Sequence, residues 1–199
     1  AHHLDDFDFA TVFTAPTGRF TRFASQFDHA IVWMNDPKQE IQNAFMDAGV
    51  CDVQVFPGLP PHNWTRHASE YYSECLGYEP LPPLLLPFET DDCVHDVLLH
   101  AGSGATQKNW PIDRFASLAE RLHEEGRTIE WIRGPAEERI PIPADAVILE
   151  VSSIVTLARH LTGATLYIGN DSGVTHLAAA CGCKTIAIFG PTIPNVWAP

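Results

Sequence analysis

The sequence predicts an α/β protein of two lobes, each built on a doubly wound parallel sheet. Short apolar segments alternate with amphipathic segments of helical period through both halves of the chain. The apolar segments are continuous rather than alternating, as in strands buried on both faces. A proline-rich stretch separates the two halves. The predicted organisation is therefore an N-terminal lobe over 1–77, a linker over 78–93 and a C-terminal lobe over 94–199.

The N-terminal lobe is predicted to contain three strands and three helices. Its apolar runs predict strands at 7–13, 30–34 and 53–56. Helices are predicted at 19–27, where three phenylalanines share one face, and at 38–48, between Pro37 and Gly49. A third helix is predicted at 62–76, where Gly77 ends it.

The C-terminal lobe shows the same alternation with stronger signals. Strands are predicted at 94–100, 128–132, 147–151, 164–168 and 185–189. One helix begins at Pro111 and is closed by Gly126, and the next is capped by Ser152 or Ser153. A last helix is predicted at 173–180, directly after a strand.

Composition and charge narrow the classes of function. Apolar residues make up 45% of the chain and charged residues 19%, which is typical of a globular protein. The net charge of −13 argues against binding to a nucleic-acid backbone. Five cysteines without a C-x-x-C pair indicate reduced thiols in a cytoplasmic protein, and no Cys/His cluster has the spacing of a metal site. The chain has no apolar run long enough to cross a membrane.

The stretch IGNDSGVTHLAAA, residues 168–180, places polar residues where a strand becomes a helix. A helix N-terminus offers unpaired N–H groups and a partial positive charge, which together hold phosphate. Gly173 would allow close approach, and Ser172 or Asp171 would cap the helix. His176 would share that face. The alternative is an ordinary N-cap with a surface histidine.

Two further polar stretches follow predicted strands. HAGSGATQKNWP, residues 100–111, is a glycine-rich loop with Lys108 near the next helix, yet it matches neither the P-loop nor the G-x-G-x-x-G pattern. GPAEE, residues 134–138, places carboxylates where a ribose could be held. Taken singly, Lys108 could be a solvated loop lysine and the carboxylates a charged turn. Because all three stretches follow strands of one predicted sheet, we expect them to face one cleft.

These stretches, with D-S-G-x-x-H-L-A followed by F-G-P-T-x-P-x-x-W, resemble the C-terminal lobe of glycosyltransferase family nine, the lipopolysaccharide heptosyltransferases. The resemblance covers about residues 94–199. It implies a two-lobed glycosyltransferase architecture with two Rossmann-like lobes, of which the C-terminal lobe holds a nucleotide-diphosphate sugar, commonly ADP-heptose. It places Lys108 at the phosphate or sugar as the catalytic cation and Glu137, or Glu138, at the ribose. The residues it implies around the diphosphate and along the loop are Ser103, Gly104, Asp171, Ser172, Gly173 and His176.

The resemblance also implies a reaction and a place in the cell. A sugar would move with inversion to a lipopolysaccharide-core acceptor, in the cytoplasm with peripheral contact at the inner membrane. Because the sequence offers no Cys/His cluster with the spacing of metal ligands, we expect no metal or cofactor, and Lys108 and the helix terminus would supply the positive charge for the leaving group. The family's N-terminal Gly-Asp loop, which carries the proposed base, has no match, since none of the 13 glycines precedes an aspartate. The N-terminal lobe is therefore predicted to be incomplete. A non-catalytic nucleotide-sugar binding module and a nucleotide-sugar epimerase are the alternatives.

Overall fold

The chain folds into two compact units. A computed structural model describes residues 7–89, 94–134 and 140–199. The first unit comprises the chain through Trp64 together with Tyr71–Tyr78, and the second comprises Thr65–Glu70 together with Glu79–Pro199. Each unit carries its own parallel sheet.

The first unit contains a two-stranded parallel sheet covered by helices. Strand β1 (His29–Trp33) pairs with β2 (Asp52–Phe56). Helices α1 (Gly18–Ala24) and α2 (Glu40–Asp47) pack on one apolar cluster, in which Phe20 is fully buried. An aromatic contact joins the two helices in this core, where the Phe20 ring meets that of Phe45 at 5.1 Å between centroids.

Two elements of this region differ from the sequence prediction. Residues 7–13, predicted as a strand, instead contain a 3-10 helix over Phe9–Phe13. Asp8 takes a left-handed conformation with φ of 56°, and its carbonyl oxygen accepts from both the N–H and the hydroxyl of Thr11. This local bonding competes with strand pairing.

The predicted helix at 62–76 is shorter, because α3 spans Ala68–Cys75. The residues before α3 form turns, in which the N–H of Trp64 donates to the carbonyl of Pro61 at 2.8 Å. The ring Nδ1 of His67 accepts from the N–H of Ser69 at 3.2 Å and so caps the helix start.

The second unit contains a five-stranded parallel sheet in the order β5-β4-β3-β6-β7. The strands are β3 (His95–His100), β4 (Ile129–Arg133), β5 (Val147–Glu150), β6 (Ala164–Asn170) and β7 (Thr185–Ile188). The helices are α4 (Ile112–Glu124), α5 (Ile154–Thr162), α6 (Gly173–Ala180) and α7 (Pro194–Trp197).

Strand β3 divides the core of the second unit into two layers. Leu98 packs in one cluster with residues of α5 and α6, whereas Val97 and Leu99 pack in another with Phe115 of α4. Successive strand residues point to opposite faces, so helices cover both sides of the sheet. This confirms the predicted doubly wound α/β fold.

The strand order places a topological switch point between β3 and β6. From β3 the chain proceeds outward to β4 and β5, then returns to the other side of β3 as β6 and β7. His100 lies opposite Gly169 in the register, so the carboxyl ends of β3 and β6 are neighbours. Doubly wound sheets bind their ligands at this position.

Candidate functional site

The two glycine-containing stretches predicted from the sequence meet at the switch point. The side-chain amide of Asn170, at the end of β6, donates from Nδ2 to the carbonyl oxygen of Ala101 at 2.8 Å. Its Oδ1 accepts from the N–H of Trp110 at 2.9 Å. The loop after β3 and the turn before α6 are thus joined directly, and the prediction that these two stretches converge is confirmed.

An ion pair joins the same two segments. Lys108 Nζ lies 2.8 Å from Asp171 Oδ2, with the Asp171 side chain 6% exposed and that of Lys108 31% exposed. The hydroxyl of Thr192 donates to the same oxygen at 2.7 Å. Burial would raise the pKa of Asp171, but these two hydrogen bonds and the charges of Lys108 and His176 hold that pKa below its ordinary value. Asp171 is therefore ionised at neutral pH and holds the ammonium group at the switch point.

Helix α6 presents its N-terminus beside this ion pair. Ser172 is the N-cap, and its hydroxyl oxygen accepts from the N–H of Thr175 at 3.4 Å. This settles the choice between Ser172 and Asp171, because the Asp171 carboxylate is engaged with Lys108. Gly173, the first helical residue, is exposed, and no atom lies within 4 Å of where its Cβ would be. The first turn is consequently open to a ligand.

A buried hydroxyl chain fixes the direction in which α6 leaves β6. The Tyr167 hydroxyl lies 3.1 Å from that of Thr175, which in turn donates to the carbonyl oxygen of Asn170. The Tyr167 ring folds over Gly169, where a Cβ would lie 2.7 Å from the ring Cζ. Only glycine leaves room for this ring, so Gly169 is required for the Tyr167–Thr175 contact.

The loop after β3 is shaped by its own polar groups. The Ser103 hydroxyl lies 2.6 Å from Asn109 Oδ1 and 2.8 Å from the carbonyl oxygen of Ala105. A short 3-10 helix over Thr106–Lys108 then turns Lys108 toward β6. Gly104 is exposed, with no atom within 4 Å of a built Cβ. Ser103 thus stabilises the loop, and Gly104 leaves its outer surface open.

His176 lies on α6 one turn after the N-cap and is exposed. Neighbouring protein atoms partly desolvate the ring and so lower its pKa, the Asp171 carboxylate opposes that shift, and the charges of His67 and Lys108 add to it. The ring is therefore neutral at pH 7 and can accept a proton when an anion approaches. Glu137 and Glu138, predicted at the ribose, lie outside the described residues.

Sequence reasoning missed two residues of this site. Thr192 bonds to Asp171 across 21 residues of sequence, and Asn170 reaches 60 and 69 residues back to Trp110 and Ala101. Both lie inside quoted motifs, but no local pattern assigned them a partner. A polar residue at the end of an otherwise apolar strand was the signal for Asn170, because buried amides require hydrogen bonds.

Other features of the described residues bear on cofactors and membranes. Within residues 7–89, 94–134 and 140–199, no three His, Cys, Asp or Glu side chains are grouped so that they could hold a metal ion. The four cysteines in these ranges are free thiols. None of the helices described there is both long enough and apolar enough to cross a bilayer.

Comparison with known proteins identifies similar chains. Residues 91–199 match the model of glycosyltransferase family 9 (heptosyltransferase). Lipopolysaccharide heptosyltransferase 1 of Pseudomonas aeruginosa is 31% identical over 154 residues, which cover 68% of this chain and 43% of that protein. The matched stretch thus spans less than half the length of this curated relative.

Two solved structures share the fold. The glycosyl transferase family 9 structure from Veillonella parvula has a TM-score of 0.67 at 18% identity, covering 90% of this chain and 63% of that chain. Escherichia coli ADP-heptose lipopolysaccharide heptosyltransferase II has a TM-score of 0.66 at 18% identity, covering 91% and 69%. At these identities the likeness concerns the fold.

Proposed function

The chain belongs to glycosyltransferase family 9, and from that premise we propose that it binds a nucleotide-diphosphate sugar at the switch point between β3 and β6. Its reaction would be the inverting transfer of a heptose-type sugar to a lipopolysaccharide-core-like acceptor. The observation that carries the proposal is the Lys108–Asp171 ion pair, which places a cation beside the open N-terminus of α6. The names of the Pseudomonas and Escherichia relatives support heptose, and the latter supports ADP-heptose as donor.

The chemistry required at this site is stabilisation of a leaving diphosphate. The oxygen of an acceptor hydroxyl attacks the anomeric carbon and loses its proton to a carboxylate base, while the bond from that carbon to the diphosphate oxygen breaks. Negative charge builds on the diphosphate as it leaves. The N–H groups of the first turn of α6 and the neighbouring Lys108 ammonium group would donate hydrogen bonds to that charge. No metal ion or other cofactor is needed in this proposal.

We propose for Asp171 a role different from the one that the resemblance implies. Its Oδ2 already accepts from Lys108 and Thr192, and its carboxylate is ionised. An ionised carboxylate in direct contact with a diphosphate would repel it. We therefore assign to Asp171 the holding of Lys108, and to Lys108, Gly173 and His176 the contact with phosphate.

The proposed setting is the cytoplasmic face of the inner membrane. A donor nucleotide is a cytoplasmic metabolite, and a lipid-linked saccharide acceptor would bring the protein into peripheral contact with the membrane. The net charge of −13 disfavours nucleic acid as a partner, and a diphosphate must therefore be held by local groups such as Lys108 and the N-terminus of α6.

Calorimetry tests the phosphate assignment. ADP should bind far more tightly than adenosine, and Lys108→Ala should weaken ADP binding by about 1–3 kcal/mol, the range for a charge-assisted hydrogen bond. Lys184→Ala, which removes an exposed lysine from the same unit, is the matched control and should change little. Binding should survive EDTA. Equal affinity for adenosine and ADP would exclude the diphosphate site.

Product analysis then separates the reaction classes. The purified chain is incubated with ADP-heptose and a heptose-acceptor lipid core, and ADP release and product mass are followed. Sugar transfer supports the proposed reaction, binding without turnover identifies a nucleotide-sugar binding module, and an altered donor identifies an epimerase. Because no Gly-Asp loop is present, we expect transfer to be slow.

A further inference from the structure

Asn170 makes hydrogen bonds to both ends of the loop that carries Lys108. Its side chain is fully buried. Nδ2 donates to the carbonyl oxygen of Ala101, the first residue after β3, and Oδ1 accepts from the N–H of Trp110, just before α4. One side chain thus closes the ten-residue loop 101–110 at its base.

The backbone of Asn170 is hydrogen-bonded as well as its side chain. The Thr175 hydroxyl donates to its carbonyl oxygen, which ties it to the first turn of α6. The next residue, Asp171, accepts from Lys108. Asn170, which closes the loop, and Asp171, which binds Lys108, are therefore adjacent along the chain. A displacement of the loop base would consequently change the position of Lys108.

Position 170 requires a side chain that is both a hydrogen-bond donor and an acceptor, such as an amide. A carboxamide donates and accepts at the same time, whereas an ionised aspartate only accepts and an apolar side chain does neither. A partner left unpaired in this buried place would carry its full desolvation cost. Asparagine satisfies both the Ala101 carbonyl and the Trp110 N–H.

We propose that Asn170 is a positioning residue for the donor. By closing the loop Ala101–Trp110, it determines where the Lys108 ammonium group stands at the diphosphate, and it does so without touching the nucleotide. This inference rests on the proposed function, since it assumes that Lys108 meets phosphate.

Two variants dissect the two bonds. Asn170→Ala removes both bonds, so the Trp110 amide should exchange with deuterium at least about tenfold faster. ADP should bind about 10- to 100-fold more weakly, which is the loss of affinity expected when a charged hydrogen-bond donor is misplaced. Asn170→Asp keeps the acceptor for Trp110 but turns a carboxylate toward the Ala101 carbonyl. Its Trp110 amide should stay protected while ADP binding weakens at pH 8.

The aspartate variant also has a pH signature that a purely structural role would lack. A protonated carboxyl can donate to Ala101 again, and burial raises the pKa of such a group. Its ADP affinity relative to wild type should therefore recover as the pH falls. Asn43→Ala, at an exposed position of α2, is the matched control and should match wild type in every measurement.

The outcomes separate the two proposals. Wild-type affinity for ADP in both variants, with an unchanged Trp110 amide in Asn170→Ala, would overturn the positioning role. If the amides of β3 are unprotected from exchange in Asn170→Ala, that variant is unfolded. The pH profile of ADP affinity in Asn170→Asp then decides whether Asn170 has the positioning role. If the wild-type chain does not bind ADP, the proposed function is wrong, and the Trp110 amide and the Lys108 Nζ resonance still decide whether Asn170 positions the loop.

Discussion

The carboxyl ends of the parallel strands have different surroundings in the two units. In the second unit, the carboxyl ends of β3 and β6 are closed by interlocked polar side chains, of which Asn170 is 0% and Asp171 5% exposed. In the first unit, the carboxyl ends of β1 and β2 open on a cavity of about 540 Å³. Among its lining residues, Asp36 accepts from the N–H of Gln42 at 3.0 Å, and Gln39 has a positive φ of 57°.

This difference between the two units determines how much the side chains at each set of strand ends must reorganise to bind a ligand. Buried donors and acceptors that are already paired keep their geometry, so a ligand meets a site that is formed in advance. Partly exposed side chains around an open cavity lose rotamer freedom when a ligand arrives, which weakens binding. We therefore expect the second unit to bind nucleotide without help from the packing of the first.

The largest expected effect comes from the two cores. Phe20→Ala and Phe115→Ala each remove a fully buried ring, which should lower the free energy of unfolding by about 3–5 kcal/mol. Only Phe115→Ala should also weaken ADP binding, because the Phe115 ring packs against Trp110 with centroids 5.1 Å apart. Urea unfolding and calorimetry measure the two quantities.

The exposed ring of Phe13 supplies the control for this pair, since Phe13→Ala should cost less than about 1 kcal/mol. The contrast between the units would be lost if a folded Phe20→Ala protein bound ADP as poorly as Phe115→Ala.

A second test compares two glycines. Gly169→Ala places a methyl group against the buried Tyr167 ring, and overpacking of this kind costs about 1–3 kcal/mol. Gly18→Ala, at the start of α1 with no atom within 4 Å of its Cβ, should change stability by less than about 0.5 kcal/mol. Thermal unfolding compares them, and ADP affinity should fall only in Gly169→Ala. Equal melting temperatures would show that the Tyr167–Thr175 contact tolerates displacement.

The smallest expected effect is the pH dependence of binding through His176. Partial desolvation of the ring keeps the pKa of His176 low in the free protein, and a diphosphate beside the ring would raise it. Binding should then take up a proton, so ADP affinity should rise as the pH falls from 8 toward 6, by less than about tenfold per unit of pKa change. Calorimetry in two buffers of different ionisation enthalpy counts the protons.

ADP itself titrates in this range, so the informative quantity is the difference between wild type and His176→Gln. The same proton uptake in both proteins would place His176 away from the phosphate.

The sequence by itself determined most of the local structure and the family. Apolar runs located the strands of the second unit to within about two residues, as boundary estimates allow. The helix at 173–180 was predicted with the bounds that α6 has, and the resemblance over 94–199 agrees with the family match over 91–199. These features depend on periodicity, capping and short motifs, which are properties of neighbouring residues. The prediction of a strand at 7–13 was wrong. Asp8 and Thr11 hydrogen-bond to each other there, and this local bonding competes with strand pairing.

Only the tertiary structure decided which polar groups pair. Lys108 and Asp171 are 63 residues apart, and their contact depends on the strand order that makes β3 and β6 neighbours. A local pattern shows that a polar residue follows a strand, but not which strand lies beside it, because strand order is set by how the whole sheet buries its apolar faces. For that reason Lys108 and the helix N-terminus could be predicted from the sequence. Only the structure showed that Asn170 bonds to the loop that carries Lys108, and that Thr192 bonds to Asp171.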